Sequence, residues 1–452
     1  MTTDIVAVVR SAPTAPMHHR FSSALGQHLL IVPFSRIYDL PNEHASGLDE
    51  EHIDLGALAA TLSLPDAGEV TLDAVVTPTP QSISLNVSSS CNLSCSYCYA
   101  ARGNFGGAQP APMTWEVAQA AIDRLLSSCD PQAPVTIGFL GGEPFVNRSL
   151  IHQAVKYADV AARGTDIDVR FSVTTNGTLL RADDVNLLRS NRFAVTVSID
   201  GGQQVQDSQR PLGRLGGQGS FRLVRQGVAS LLADPGLAQV AARATILASD
   251  LNVASHFDAI MDLGFAEVGF SPLRVAREPE GPLKDEHWAI YLESLIAVAR
   301  TELNRALQGK SIRLSNFAIA LKQLHRGASS PYPCGAGGGY FSVGADGAWY
   351  ACHRAIGNAD YRLGDSTSLS RDKRVTFLAE RHVHAQEDCR RCWARYLCSG
   401  GCHQEAASRT QASCDFIRGW LQFCLGAYCE LVQARPDYFD PQACNSNSGV
   451  RQ

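Results

Sequence analysis

From residue 81 onward the chain alternates short apolar runs of β type with longer stretches whose apolar residues recur every three or four positions. Strands are predicted at Ser82–Val87, Val135–Leu140, Asp168–Thr174, Phe193–Ile199, Val240–Leu247 and Glu267–Ser271. Helices are predicted between and after them at Thr114–Ser127, Ser149–Ala162, Asp183–Ser190, Phe221–Leu232, Val253–Leu263 and Glu286–Leu307. Six strand-then-helix units in succession imply an α/β fold with a parallel sheet and right-handed crossovers. An open doubly wound sheet and a partial barrel both satisfy this pattern, and both put chemistry at the C-terminal ends of the strands.

The flanks read differently. Residues 1–80 form a small α+β module: two short strands around a turn (His28–Pro33 and Arg36–Leu40), a helix-like run Ile53–Leu62, and a linker at Thr77-Pro78-Thr79-Pro80. Residues 311–333 read as a linker, and a hairpin follows at Tyr340–Val343 and Ala348–Cys352 around Ala345-Asp346-Gly347. An apolar helical run covers Phe416–Val432, and 436–452 is a polar tail carrying Cys444.

Composition narrows the class. The 452 residues are 45% hydrophobic and 18% charged with a formal charge of −5, an ordinary globular balance without a basic field for nucleic acid. No apolar run has the length of a membrane span, and the N-terminus is a poor signal peptide, so a cytoplasmic protein with no membrane partner is expected. Fourteen cysteines, many in close-spaced sets, suit metal ligation better than disulfides in a reducing compartment.

The densest chemistry lies at Cys91-Asn92-Leu93-Ser94-Cys95-Ser96-Tyr97-Cys98, just after the first strand of the alternating region and before the glycine-rich segment Gly103–Gly107. Three thiols on one loop can converge on an inorganic core. They are one short of the four that an iron–sulfur cube needs, which leaves an iron open to a small molecule. A zinc loop is the competing reading. The loops after later strands add polar groups in order: Gly141-Gly142-Glu143-Pro144, Thr174-Thr175-Asn176-Gly177, and Ser198-Ile199-Asp200-Gly201 with Arg210 twelve residues past Ser198. Paired glycines allow close backbone approach, and a carboxylate beside them can accept hydrogen bonds from an ammonium group.

With its CxxxCxxC loop and Tyr97 in the aromatic place before the third cysteine, the chain resembles the radical S-adenosylmethionine (SAM) enzymes. The resemblance implies a partial (β/α)6 TIM-type barrel over residues 81–310. It further implies a [4Fe–4S] cluster on Cys91, Cys95 and Cys98 that binds SAM and cleaves it to a 5′-deoxyadenosyl radical. Glu143, with Gly141 and Gly142, would receive the methionyl amine, Thr174 and Asn176 would face the ribose, and Ser198 and Arg210 would hold the SAM carboxylate.

Cys334, Cys352, Cys389, Cys392, Cys398, Cys402 and Cys414 are similar to the SPASM-domain pattern, placed here at 334–435, with zinc ribbons as the alternative. The resemblance gives one fully ligated auxiliary cluster on Cys389, Cys392, Cys398 and Cys414. It gives a second on Cys334, Cys352 and Cys402, three [4Fe–4S] clusters in all. Related domains place a fourth cysteine where this chain has Tyr340, so the second auxiliary cluster has an open iron or a ligand from elsewhere, with Cys424 and Cys429 as candidates. Cys129, Cys424 and Cys429 otherwise read as packing residues.

Enzymes of this kind act on peptides. The expectation is a peptide maturase that abstracts hydrogen from a carbon of a ribosomally made precursor and crosslinks it, served by an electron donor such as a flavodoxin or ferredoxin. Sulfatase maturases are the alternative, but where they carry an aspartate after the cysteine this chain has His353, the candidate catalytic base. A non-catalytic iron–sulfur electron carrier is a further alternative. Residues 1–80 are similar to modules that bind a leader peptide by adding a strand, and equally suit a structural cover for the barrel.

Overall fold

The computed structural model describes residues 5–10, 12, 15–40, 73–105, 111–213, 218–275 and 281–440. The strands are β1 (Ile5–Val8), β2 (His18–Ser23), β3 (Gly26–Ile31), β4 (Arg36–Leu40), β5 (Ala74–Val76), β6 (Ser82–Ser88), β7 (Val135–Gly141), β8 (Val169–Thr175), β9 (Phe193–Ser198), β10 (Gln239–Ile246), β11 (Val268–Pro272), β12 (Tyr340–Val343), β13 (Ala348–Tyr350) and β14 (Arg362–Asp365). Nine of them form one sheet in the order β11-β10-β9-β8-β7-β6-β12-β13-β14. Strands β6 to β11 are parallel and lie side by side in chain order. A doubly wound sheet reverses its order at a switch point. From β6 to β11 the order does not reverse, so this part of the chain winds one way, as a partial barrel does, and only β12 returns to the other edge of β6.

All six predicted strands and all six predicted helices of this region are present, with ends shifted by one or two residues. Alternation along the strands sorts the sheet into two faces. Ile83, Leu85, Val87, Ile137, Phe139, Phe171, Val173, Phe193, Val195 and Val197 are buried in the main core, where the helices cover them. Phe171 and Phe193 sit in register on adjacent strands, Phe139 lies two residues beyond Ile137, the partner of Phe171, and the rings stack with centroids 6.4 Å and 5.2 Å apart. The opposite face carries Ser84, Asn86, Gly138, Ser172, Thr174, Thr196, Ser198 and Arg243. The lumen is therefore polar.

Three features were not legible. The stretch read as the linker 311–333 contains a helix, Ser315–Arg326, whose Phe317, Ala320, Leu321 and Leu324 are buried at helical spacing. The N-terminal strand pair gains a third member, β2, in an antiparallel sheet β2-β3-β4, while β1 pairs with β5. The predicted hairpin is present as β12 and β13, but β12 also pairs in parallel with β6, and β14 follows. The cysteine-rich region is thus stitched to the barrel sheet. The run Ile53–Leu62 and Cys444 lie outside the described residues.

The helix Gln411–Ala434 closes the assembly. Thr410 caps its start, accepting from the Ser413 amide at 3.2 Å. Its buried face packs on the helix Asp285–Leu307 and on β2, where His19 meets Gln422 at 2.7 Å. Among the described residues no helix is long and apolar enough to cross a membrane.

Phe139 is fully buried against both Phe171 and Phe193. Phe139→Ala is expected to destabilise the protein by about 3–5 kcal/mol, read from denaturant unfolding, because the stack cannot collapse around the lost ring.

Candidate functional site

The cysteine loop leaves β6 and turns back over the strand ends, held on two sides. On one side it docks on the Gly141-Gly142 turn after β7: Gly142 N donates to Ser88 O at 2.8 Å and Glu143 N to Ser90 O at 3.0 Å. A Cβ on Gly142 would lie 2.4 Å from Ser90 O and from Arg102 O, and Gly141 has φ +150° with its would-be Cβ 2.4 Å from Ser88 O. These glycines allow close approach of the cysteine loop itself. On the other side Ser94 N donates to Pro211 O at 2.8 Å and Gly213 N to Asn92 O at 2.8 Å, with an antiparallel bridge between Leu93 and Leu212.

Asp200 fixes this second brace. It is fully buried, and its carboxylate accepts from Tyr97 Oη at 2.5 Å, Arg210 Nε at 2.8 Å, Arg210 Nη2 at 3.1 Å and Thr245 N at 2.9 Å. The Arg210 guanidinium also lies 5.3 Å from the centre of the Tyr97 ring. Burial holds the Tyr97 hydroxyl well above its ordinary value. Arg210, expected at the SAM carboxylate, thus commits two of its donors to Asp200 and acts on the loop. Burial drives the Cys95 thiol up to about 11, and the Arg210 charge opposes that rise.

Glu143 also has local work. It is fully buried, with Oε1 accepting from Thr175 Oγ1 at 2.7 Å and Phe145 N at 3.2 Å and Oε2 from Asn176 N at 2.7 Å. Burial raises its carboxyl to about 7. Asn176 is buried as well, its amide 2.9 Å from Asn92 Oδ1 and 3.8 Å from Cys91 Sγ. Thr174 and Ser198 end β8 and β9 on the lumen side, and Arg243 of β10 stands in register beside Ser198. Glu143, Asn176, Tyr97 and Arg210 therefore gather around the cysteine loop, while Thr174 and Ser198 face the lumen. Asp200 is the functional residue the sequence reading missed. Its one signal was a carboxylate at a strand end ten residues before an arginine.

The ten matched cysteines fall into three sets whose members feel one another's charge. Burial pushes Cys91 up to about 12, and Cys95 and Cys98 add to the rise. Cys352 is raised to about 11 by burial, with Cys402 and Cys334 contributing. Cys398 is raised to about 11 by burial, then by Cys389, Cys392 and Cys414. Buried thiols this reluctant to ionise need a cationic core to become thiolates. Among the described residues no three His, Cys, Asp or Glu side chains could hold a single metal ion. The all-sulfur chemistry of the sets fits an iron–sulfur core.

Tyr340, at the place of the absent fourth cysteine, bonds to Ser84 Oγ at 2.7 Å and to His353 Nδ1 at 3.0 Å. Burial, then Arg354, pushes the His353 imidazole down to about 4, so it is neutral. Tyr99 lies between the first and second sets, under the Arg354 guanidinium at 5.3 Å, and its hydroxyl senses both Cys352 and Cys98. Cys424 and Cys429 are buried in the core of the helix Gln411–Ala434 and belong to none of the sets. Cys129 ends its helix, with Sγ 3.4 Å from Leu126 O.

Residues 85–231 match the radical SAM superfamily. The serine-type anaerobic sulfatase-maturating enzyme of Klebsiella aerogenes is 25% identical over 350 residues, covering 73% of this chain and 81% of that one. The cysteine-type anaerobic sulfatase-maturating enzyme of Clostridium perfringens strain 13 is 23% identical over 385 residues, covering 80% and 97%. The fold is similar to the solved structure of native anSMEcpe with bound AdoMet, with TM-score 0.66, 20% identity, and coverage of 78% of this chain and all of that one.

Asp200→Asn keeps the shape but leaves the buried Arg210 charge unbalanced. A loss of about 3–5 kcal/mol is expected in denaturant unfolding. Iron on the Cys91 set should fall while iron on the other two sets stays. Full iron on the Cys91 set would show that Asp200 does not hold the loop.

Proposed function

We propose that this chain, a radical SAM protein with a SPASM-like cysteine-rich region, is a peptide-modifying oxidoreductase that removes hydrogen from a peptide carbon and closes an intramolecular crosslink there. The observation that carries the reading is the convergence of three thiol sets, the first of them on a loop over a polar barrel lumen. Cys91, Cys95 and Cys98 would hold a [4Fe–4S] cluster with one iron left for SAM. Cys389, Cys392, Cys398 and Cys414 would hold a second cluster, and Cys334, Cys352 and Cys402 a third. When bound, the first cluster and SAM supply the 5′-deoxyadenosyl radical that takes the hydrogen atom.

The protein's own groups position and shield this chemistry. The Tyr97–Asp200–Arg210 knot fixes the loop, and the Thr174 and Ser198 hydroxyls face the space a nucleoside would fill. Tyr340 orients the His353 ring through Nδ1, which leaves Nε2 as the atom to accept a proton released by substrate. A peptide substrate is supported by a neighbour of the same fold, native anSMEcpe, solved with bound AdoMet and the Cp18Cys peptide (TM-score 0.64, 19% identity, 78% of this chain and 99% of that one). A flavodoxin or ferredoxin would deliver the priming electron.

Sulfatase maturation by formylglycine formation is the second reading, favoured by the names of the relatives above. Incubation with both a sulfatase-derived peptide and cysteine-bearing precursor peptides separates the two by product mass.

Reduced, cluster-loaded protein is expected to convert SAM to 5′-deoxyadenosine and methionine. Cys95→Ala should abolish that conversion and keep the iron of the other two sets. Wild-type protein that forms no deoxyadenosine under strong reduction, with either peptide class present, overturns the enzyme reading.

The Cys334 set has three thiols, with Tyr340 turned to Ser84 and His353 and with Cys424 and Cys429 sunk in the core. That supports an iron open to a substrate thiolate, which would lower the thiol's pKa and hold its sulfur near the carbon radical. In a variant lacking Cys91, Cys95 and Cys98, adding a thiol-bearing peptide should change the electron paramagnetic resonance signal of this cluster. An unchanged signal means that a fourth protein ligand closes the site.

A further inference from the structure

Strand β10 alternates strictly: Val240, Ala242, Ala244 and Ile246 are buried in the core, while Arg243 and Thr245 face the lumen. Arg243 is exposed there, in register with Ser198 of β9 on one side and Gly269 of β11 on the other. Gly269 is what lets its side chain lie down across the sheet. A Cβ at that position would stand 2.9 Å from Arg243 Cζ and 2.6 Å from Ser315 Oγ. The guanidinium head is therefore cradled over β11, toward the start of the helix Ser315–Arg326. Together with Arg274 it acts on the Tyr291 hydroxyl, which burial holds well above its ordinary value.

The other guanidiniums around the lumen are engaged. Arg210 is bound to Asp200. Arg354 and Arg274 share the Glu405 carboxylate at 2.5 Å and 3.5 Å, and Arg354 also reaches Cys402 Sγ at 3.6 Å. Arg274 lies 4.8 Å over the Trp288 ring. Among the described residues Arg243 has no carboxylate partner. A charge on the concave face of a sheet adds nothing to the core and gives up part of its hydration, so its place there is explained by a ligand rather than by the fold.

We infer that Arg243 determines specificity by gripping a carboxylate of the peptide substrate, so that the peptides this protein takes carry an acidic side chain or a free C-terminus near the carbon that is modified. The inference deepens the peptide-modifying reading above and rests on it. A guanidinium offers a carboxylate two parallel N–H···O bonds, which fix direction as well as distance. The hydroxyls of Ser198 and Thr245, on the same face of the sheet, can donate to the remaining lone pairs. SAM would bring a second carboxylate into the lumen, but Arg243 is turned toward the other side. The side-chain charges that act most on Cys95 are those of Arg210 and Asp200, whereas Arg243 acts on Tyr291 of the helix Asp285–Leu307.

The test uses cluster-loaded, SAM-bound protein and a synthetic pool of cysteine-bearing heptapeptides, random at their other positions, in free-acid and amidated forms. Retained peptides are sequenced by mass spectrometry. Wild type should enrich carboxylate-bearing peptides by about tenfold, the scale of one charged hydrogen-bonded pair. Enrichment of Asp and Glu in the amidated pool assigns the carboxylate to a side chain, and enrichment confined to the free-acid pool assigns it to the C-terminus. Arg243→Gln should erase the enrichment, Arg243→Lys should keep part of it, and Arg243→Glu should replace it with enrichment of Lys and Arg. No acidic preference in wild type, or a preference that survives in Arg243→Gln, overturns the inference. So does a fall in SAM affinity of Arg243→Gln, measured without peptide, as large as the loss of enrichment, because the residue then holds SAM. If Arg243→Gln fails to load iron, a preference in Arg243→Lys as strong as that of wild type overturns it instead. Crosslinked product formed equally from acidic and non-acidic peptides overturns the inference and leaves the peptide-modifying reading standing. Retention that depends on Arg243, with no deoxyadenosine and no change in peptide mass, sinks that reading and leaves the carboxylate site in place.

Discussion

The buried carboxylate of Asp200 joins segments that local structure gives no reason to meet: the cysteine loop through Tyr97, the loop after the fourth barrel strand through Arg210, and β10 through the Thr245 amide. Taking an arginine and an aspartate out of water is costly, and their attraction repays it only when the remaining donors and acceptors are filled. Here four hydrogen bonds fill the carboxylate. The knot is therefore better understood as a device for position than as a source of stability. It sets where Cys91, Cys95 and Cys98 stand relative to the lumen, while the Gly141-Gly142 turn sets how closely they approach the strand ends.

The barrel around this knot divides its labour by face. The helix-covered side carries the stacked Phe139, Phe171 and Phe193 and supplies the hydrophobic burial. The lumen side carries hydroxyls and amides, which a fold wanting only stability would have filled with apolar side chains.

Strand and helix positions in the barrel were legible because a two-sided sheet and amphipathic helices print their periods on the sequence. The helix Ser315–Arg326 was passed over because it falls between a long helix and a cysteine motif, where a linker was expected. The grouping of the cysteines came from spacing and family resemblance, and the fold brings Cys402 beside Cys334 although it lies far along the chain. The roles of single charged side chains were not legible. Arg210 reads as a holder of the SAM carboxylate, and its pairing with Asp200 becomes visible only in the fold. Glycines 141 and 142 were rightly read as sites of close approach, yet the approaching group is the chain's own loop. A sequence gives the chemistry of a side chain and leaves its partner to the three-dimensional fold.

The parallel pairing of β12 with β6 has a consequence for how this protein could be divided. Residues Tyr340–Val343 hydrogen-bond along Ser82–Leu85, the strand that launches the cysteine loop. Without them β6 would be a bare sheet edge carrying Ile83, Leu85 and Val87, an invitation to pair with another chain. The two halves are therefore not beads on a string. Their cysteine sites share one backbone ruler rather than a hinge.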